Sequence, residues 1–251
     1  MRRILSCHRT CLRNPVDLAL IQLLPMSFDH LPTAREMVAA HTRWLSLPGW
    51  PQEPAATEPT LRHAELWTWL QANHRFNSLL WAEEDLARRT TVAAADIAAN
   101  KRAIDAYNQA RNDATERLDE LLLLALGLVD VASARSDAPL SLAAPGARLN
   151  SETAGAMVDR MSIMALKLHA MHAQSQRVDV DHAHRASSLG KWQRLNQQRS
   201  DLAGCLDTLL TDAAAGRAYF KVYRQFKMYN DPRLNPALVL EQQARQASPG
   251  A

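Results

Sequence analysis

The sequence is poor in the residues on which β-rich folds and glycine-dependent sites rely. Only 8 of its 251 residues are glycine and 6% are aromatic. Alternating runs of β-branched and aromatic residues, which are typical of strands, are nearly absent. No Gly-rich phosphate loop and no Gly-x-Ser-x-Gly nucleophile turn occurs. The composition therefore excludes a βαβ nucleotide-binding unit and favours helices, because Ala, Leu, Arg, Gln and Glu are good helix formers.

Cysteines, a strong net charge and long apolar runs are scarce as well. The three cysteines, Cys7, Cys11 and Cys205, do not form a disulfide framework, and we expect free thiols in a reducing compartment. A net charge of +3 does not indicate nucleic-acid binding. No apolar run approaches the roughly 20 residues of a membrane span. We therefore expect a cytoplasmic protein with no membrane span and no nucleic-acid partner.

Prolines and helix signals divide the chain into three parts. Residues 1–60 form an N-terminal extension with a short helix over 28–45 and a proline-rich linker, because each proline removes a backbone donor. Residues 61–231 form the main domain, and residues 232–251 form a polar tail. Apolar periodicity in the domain predicts four long helices, over 61–89, 94–128, 152–177 and 184–215. A fifth, basic and aromatic helix is predicted over 217–229.

The second and fourth predicted long helices share an internal sequence similarity. Residues 107–122 align without gaps on residues 195–210, so that Arg111 matches Arg199 and Asp113 matches Asp201. We interpret the match as a duplication of a helical hairpin. The expected fold is all-α: a four-helix bundle of two similar hairpins, related by a pseudo-two-fold axis, with short flanking helices.

Polar residues follow the helical spacing where a bundle packs its core. Arg111 and Arg199 interrupt the two apolar seams, and a buried charge costs several kcal/mol, as a rough figure, unless it is paired or meets a ligand. One interpretation is a structural network in which these arginines pair with carboxylates. The other is a preorganised anion site, because guanidinium matches carboxylate and phosphate oxygens; the two are compatible. The carboxylates considered as pairing partners are Asp113, Asp201, Glu84 and Asp159.

Several ordered motifs resemble one bacterial family of uncharacterised proteins, the domain of unknown function 4254, over about residues 61–231. The motifs are Leu80-Trp81, Glu84-Asp85-x-Ala87-Arg88, Lys101 with Ile104-Asp105, Asn108-Gln109-x-Arg111-Asn112-Asp113, Asn150-Ser151-Glu152-Thr153 and residues 159–167. The resemblance implies a small cytoplasmic helical protein. It also implies a link to cell-envelope glycan assembly, because some members lie among genes for that process. The chain departs from the family pattern at Ala154, where the family has proline.

These patterns lead us to expect a small-molecule enzyme or binding protein that holds an anionic metabolite, phosphorylated or carboxylated, in a polar bundle core. The carboxylates expected to act as acid, base or metal ligand are Glu84, Asp105 and Asp159. The residues expected to bind the anion or orient it are Arg88, Lys101, Asn108, Arg111, Asn112, Asp113, Arg160, Lys167 and Arg199.

Two chemistries remain open for such a core. One is a site dependent on Mg²⁺, with ligands drawn from Glu84, Asp85, Asp105, Glu116, Asp119 and Asp159. The other is a metal-free site in which Arg and Lys clamp a dianion, as in the helical chorismate mutases. The competing class is a non-catalytic partner protein, whose charge network is structural and whose helix over 217–229 docks on an enzyme.

Overall fold

The structure is a computed structural model that describes residues 31–55, 63–225 and 231–247. Six helices and one pair of two-residue strands are formed within these residues, so the fold is all-α, as predicted. The elements are α1 (Ala34–Trp44), α2 (Ala64–Leu86), α3 (Ala94–Ala125), β1 (Arg148–Leu149), α4 (Ala154–Ser175), α5 (His182–Ala214), β2 (Ala218–Tyr219) and α6 (Pro236–Ala247). In the part of the chain described here, no helix is long and apolar enough to cross a bilayer.

The four long helices form two hairpins, which confirms the predicted bundle. Helix α2 packs along α3, and α4 packs along α5; α4 also contacts both helices of the first hairpin and so joins the two. The core between them is made of fully buried apolar side chains at helical spacing, which gives each helix one apolar stripe. These include Leu70, Leu118, Leu122, Met161 and Leu206.

Helix α1 closes the bundle against α2, α4 and α5. It begins at a capping box, in which the Thr33 hydroxyl accepts from the Glu36 backbone N–H and the Glu36 carboxylate accepts from the Thr33 N–H. The Ala34 N–H donates to Asp207 Oδ1 of α5 at 2.9 Å. The helix predicted over 28–45 is therefore present from Ala34, and residues 28–30 lie outside the described residues.

The helix predicted over 217–229 is wrong for the residues that the structure describes. Ala218 and Tyr219 instead form β2, which pairs in parallel with β1, and residues 220–225 are not helical. Ala218, Phe220 and Val222 are buried, whereas Lys221 and Tyr223 are exposed. This alternation has the period of two that is typical of an extended chain. The segment is therefore extended, although its sequence also carries a weaker helical pattern. Residues 226–230 lie outside the described residues.

Arg224 ties this extended segment to α3. Its guanidinium contacts Glu116 at 3.1 Å and Glu120 at 2.5 Å, and it donates to the backbone carbonyls of Ala134 and Ser136. The tail that follows was predicted to be polar, and it contains α6, which begins at Pro236. Proline suits a first helical position because the N–H that it lacks would have no partner there.

The N-terminus of α4 lies directly against α3. The Thr153 hydroxyl caps α4 by accepting from the Ala156 N–H at 3.1 Å, and Asp119 Oδ1 accepts from the Gly155 N–H at 2.6 Å. A Cβ on Gly155 would lie 2.5 Å from the Thr115 carbonyl oxygen and 2.9 Å from Asp119 Cγ. The approach of the two hairpins at this point therefore depends on glycine.

The substitution Gly155→Ala is expected to lower the free energy of unfolding by about 3 kcal/mol, because the added methyl group meets a backbone carbonyl that cannot move without separating α3 from α4. Gly204→Ala on α5 is the matched control, since nothing lies within 4 Å of its Cβ position. That control is expected to raise stability by about 0.5–1 kcal/mol through helix propensity. Urea denaturation of the two variants measures the contrast, and equal stabilities would contradict this account of the junction.

Candidate functional site

A buried polar junction joins α2 and α3 of the first hairpin to α4. The side-chain amides of Asn73 and Asn77 both donate to Asp159 Oδ1, each at 2.8 Å. Asn73 also donates to Thr115 Oγ1 at 3.1 Å, and Asn77 donates to Ser162 Oγ at 3.0 Å. The Asp159 carboxylate thus accepts two hydrogen bonds from side-chain amides of α2. The same amides also donate to Thr115 on α3 and Ser162 on α4. The junction fixes the relative position of the two hairpins.

Two buried histidines extend the junction towards α1. His74 Nδ1 lies 2.8 Å from Ser162 Oγ, and the His74 ring stacks on the His41 ring with 4.6 Å between centroids. Trp50 stacks on the other side of His74 and donates from Nε1 to Ser78 Oγ at 3.1 Å. Both imidazoles have 0% exposure. The junction is therefore closed to solvent on its α1 side.

Burial keeps both imidazoles neutral. Desolvation lowers the pKa of His74 to about 3, and the nearby His41 carbonyl opposes this only weakly. That carbonyl does not complete a hydrogen bond, because His74 Nε2 has no partner. Desolvation also lowers the pKa of His41 well below its usual 6.5, and repulsion from a protonated His74 and from Arg199 lowers it further. Neither ring nitrogen of His41 has a hydrogen-bond partner.

These lowered pKa values predict a loss of stability in acid. Below the unfolded-state pKa of 6.5, the unfolded chain binds protons that the folded chain does not. The free energy of unfolding therefore falls as the pH drops. In His41→Phe, the loss between about pH 7 and about pH 5 is expected to be smaller by about 2 kcal/mol, since one such histidine is removed.

The matched control is His182→Phe, which changes an exposed histidine at the start of α5. Urea titrations at the two pH values measure the effect. If both variants keep the pH dependence of the wild type, the folded protein binds a proton at His41. The buried Asp119, whose pKa desolvation raises to about 7, changes stability in the opposite direction but equally in all three proteins.

The amide of Asn77 is expected to stabilise the junction strongly. Asn77→Ala leaves Asp159 and Ser162 each without one donor, and we expect a loss of about 2–3 kcal/mol in the free energy of unfolding. Gln197→Ala is the control, because it removes an exposed Gln197–Asp201 hydrogen bond on α5. Its cost is expected to stay below about 0.5 kcal/mol. Chemical denaturation measures both, and a cost for Asn77→Ala as small as the control's would contradict a structural role for the junction.

Five of the other residues predicted for the site lie in exposed ion pairs. Glu84 pairs with Arg88 at 3.0 Å, and their side chains are 47% and 68% exposed. Lys101 pairs with Asp105 at 2.9 Å, and Arg160 pairs with Glu152 at 2.5 Å. Of the three expected acid–base carboxylates, Asp159 alone takes part in the buried junction.

Arg111 and Arg199 are not ion-paired, which contradicts the expectation of a carboxylate partner for them. No Asp or Glu of the described residues lies within ion-pairing distance of either arginine. Arg111 Nη2 donates to Asn112 Oδ1 at 2.9 Å, whereas its buried Nε has no partner. Asp113 instead accepts from Gln109, and Asn108 is half-buried on the same helix. Both cations therefore remain without a compensating anion.

The carboxylates expected to hold Mg²⁺ do not assemble. Asp119 accepts from the Gly155 N–H, and Glu116 pairs with Arg224. Within residues 31–55, 63–225 and 231–247, no group of three His, Cys, Asp or Glu side chains has an arrangement that could hold a metal ion. The donor set therefore does not fit the expected magnesium site.

A groove between α2, α4 and α5 gathers three cations around an apolar floor. Lys167, Lys191 and Arg194 line a cavity of about 320 Å³. Its other lining residues are Trp81, Met171, Leu195 and Gln198. None of the three cations has a carboxylate partner among the described residues. Sequence reasoning selected Lys167, but it missed Lys191 and Arg194, which lie on α5 outside the repeated seam.

Comparison with known proteins gives one family. The family described as "Protein of unknown function (DUF4254)" matches residues 67–222, which is more than half of the chain. No curated protein matches the chain. No solved structure matches it either.

Proposed function

The chain belongs to the DUF4254 family, and we propose that it binds a small anionic metabolite, phosphorylated or carboxylated, in the groove lined by Lys167, Lys191 and Arg194. The observation that carries this proposal is the set of three cations converging on one cavity without a carboxylate. Like charges held together repel, and a cleft with low-dielectric walls concentrates their field. An anion bound in the groove offsets the repulsion among the three cations and is stabilised by their electrostatic field.

The shape of the groove supports a small ligand with an apolar or planar part. Its volume of about 320 Å³ is at the lower end of the roughly 300–1,000 Å³ typical of small-molecule sites. Trp81, Met171 and Leu195 offer an apolar surface to the body of a ligand. Arg194 offers a planar fork for paired oxygens, and the two lysines add point charges. In a phosphorylated or carboxylated metabolite, the charged group fits the cations and the body of the molecule fits the apolar side chains.

Binding is better supported than catalysis. Among the described residues, no carboxylate and no imidazole lines the groove. These are the groups that most often transfer protons in enzymes. Among the carboxylates expected to do so, Glu84 and Asp105 lie in exposed ion pairs and Asp159 is held by two amides. The enzyme interpretation therefore remains the less supported part of the proposal.

The setting of the ligand is proposed on family resemblance. We propose a metabolite of cell-envelope glycan assembly, such as a sugar phosphate or nucleotide sugar, and a cytoplasmic location. The free and exposed thiol of Cys205 is compatible with the reducing compartment that this location implies. The competing proposal, a partner protein whose polar interior is structural, is supported by the mutual hydrogen bonds of the buried junction.

A ligand of the groove is expected to raise the melting temperature. A panel of sugar phosphates, nucleotide sugars and carboxylates, with and without Mg²⁺, is screened by thermal denaturation. At a concentration 100 times its Kd, a ligand that binds only the folded state stabilises it by about 2.7 kcal/mol, or about 5–10 °C. The double variant Lys167→Gln/Arg194→Gln is expected to weaken binding by at least about 100-fold, because two charge-assisted contacts are lost.

The matched control is Arg35→Gln/Arg102→Gln, which removes two exposed cations that do not line the groove. It is expected to retain the full shift. If no compound raises the melting temperature, or if both double variants keep the shift, the groove is not the binding site. In that case, the partner-protein proposal is favoured.

A further inference from the structure

Arg199 is a partly desolvated cation with few hydrogen-bond partners. Its guanidinium donates to Thr42 Oγ1 at 3.4 Å and to Asn196 Oδ1 at 3.3 Å, both at the long end for such bonds. A guanidinium has five N–H donors, so most of its capacity is unused. Desolvation lowers the pKa of Arg199, which reports the same lack of compensating charge. A cation in this state gains from any anion that can reach it.

Arg199 lines a cavity between α1, α4 and α5 of about 210 Å³. Thr42 and Ser46 bring hydroxyls from α1 and the loop after it, His169 and His172 bring imidazoles from α4, and Asn196 brings an amide from α5. Among the described residues, no Asp or Glu lines this cavity. Guanidinium, imidazole, hydroxyl and amide groups can all donate to an oxyanion. In the structure, the Thr42 and Ser46 hydroxyls donate to the backbone carbonyls of Val38 and Thr42, and the Asn196 amide donates to that of Trp192. The guanidinium of Arg199 therefore offers unused donors directly, whereas the hydroxyls must turn from these carbonyls to reach an anion.

This cavity is separate from the groove of Lys167, Lys191 and Arg194. The two share no lining residue, and they use different faces of the α4–α5 hairpin, since Lys167 and Met171 line one and His169 and His172 line the other. The volume of about 210 Å³ lies below the roughly 300–1,000 Å³ typical of sites for drug-sized ligands. The occupant must therefore be small, or be the end group of a larger molecule.

We propose that the Arg199 cavity is a second anion site, which binds a phosphoryl group through the Arg199 guanidinium and the hydroxyl of Thr42. A tetrahedral oxyanion matches donors that arrive from three helices, and the guanidinium fork takes two of its oxygens. Inorganic phosphate and the terminal group of a phosphomonoester share this chemistry. The site is independent of the metabolite proposed for the groove.

Tryptophan indole N–H signals in nuclear magnetic resonance spectra test the proposal, because each site has its own reporter. Trp192 lines the Arg199 cavity and Trp81 lines the groove. The signals are assigned with Trp192→Phe and Trp81→Phe. Titration with inorganic phosphate is expected to move the Trp192 signal. Arg199→Gln is expected to weaken that response by at least about tenfold, and Thr42→Val by about threefold to tenfold.

Arg43→Gln is the matched control, because it removes an exposed cation adjacent to Thr42 that does not line the cavity. It is expected to leave the response unchanged. A parallel titration with glycerol phosphate shows which ligand the site prefers. A stronger response than to inorganic phosphate indicates that the site binds the end group of a larger molecule. An equal or weaker response indicates that it binds the free anion. Thr42→Val provides the test if Arg199→Gln fails to fold.

The proposal is overturned if phosphate leaves the Trp192 signal unmoved, or if Arg199→Gln and Thr42→Val respond as the wild type does. Failure of the groove proposal has a different signature. It leaves the Trp81 signal unmoved by every compound of the metabolite panel, whatever Trp192 does.

Discussion

One carboxylate connects the two halves of this bundle. Asp159 on α4 accepts two amide hydrogen bonds from α2, and one of the same amides continues to Thr115 on α3. Asp159 is half-buried, and a carboxylate that loses part of its hydration is costly unless hydrogen bonds replace it. Asn73 and Asn77 replace part of that hydration without adding a charge. The hairpins can therefore take only the relative position in which these three side chains meet.

This arrangement has an electrostatic consequence for the rest of the interior. Asp159 is bound by neutral amides and pairs with no cation of the described residues. On α3, Asp105 pairs with Lys101 on the surface, and Glu116 and Glu120 pair with Arg224. Arg199 and the cations of the groove thus keep a net positive charge around two cavities. An unpaired and partly desolvated cation lowers stability. Arg199 is such a cation, whereas Lys167, Lys191 and Arg194 are exposed. The reason for placing a ligand is therefore desolvation at Arg199 and the gathering of three cations in the groove.

Local features of the fold could be predicted from the sequence. The four long helices, their pairing into hairpins and the Thr153 cap follow from apolar spacing and capping residues, which act within one segment. The helix over 217–229 failed because β1 supplies the hydrogen bonds of Ala218–Tyr219, and β1 lies about 70 residues earlier in the chain. The duplication stays a prediction: Gln109–Asp113 and Gln197–Asp201 form equivalent bonds, yet α3 packs on α4 while α2 does not pack on α5.

The sequence by itself determined the four long helices and which side of each is polar, because both depend on spacing within one segment. Only the tertiary structure decided which polar side chains meet. The spacing orients a side chain about its own helix axis, but it does not set how far neighbouring helices slide or rotate against each other. Here Gly155 sets the approach of α4 to α3, and Asp159 sets its position on α2. The structure also places Lys167 and Arg199 in different cavities, although both were predicted to serve one site.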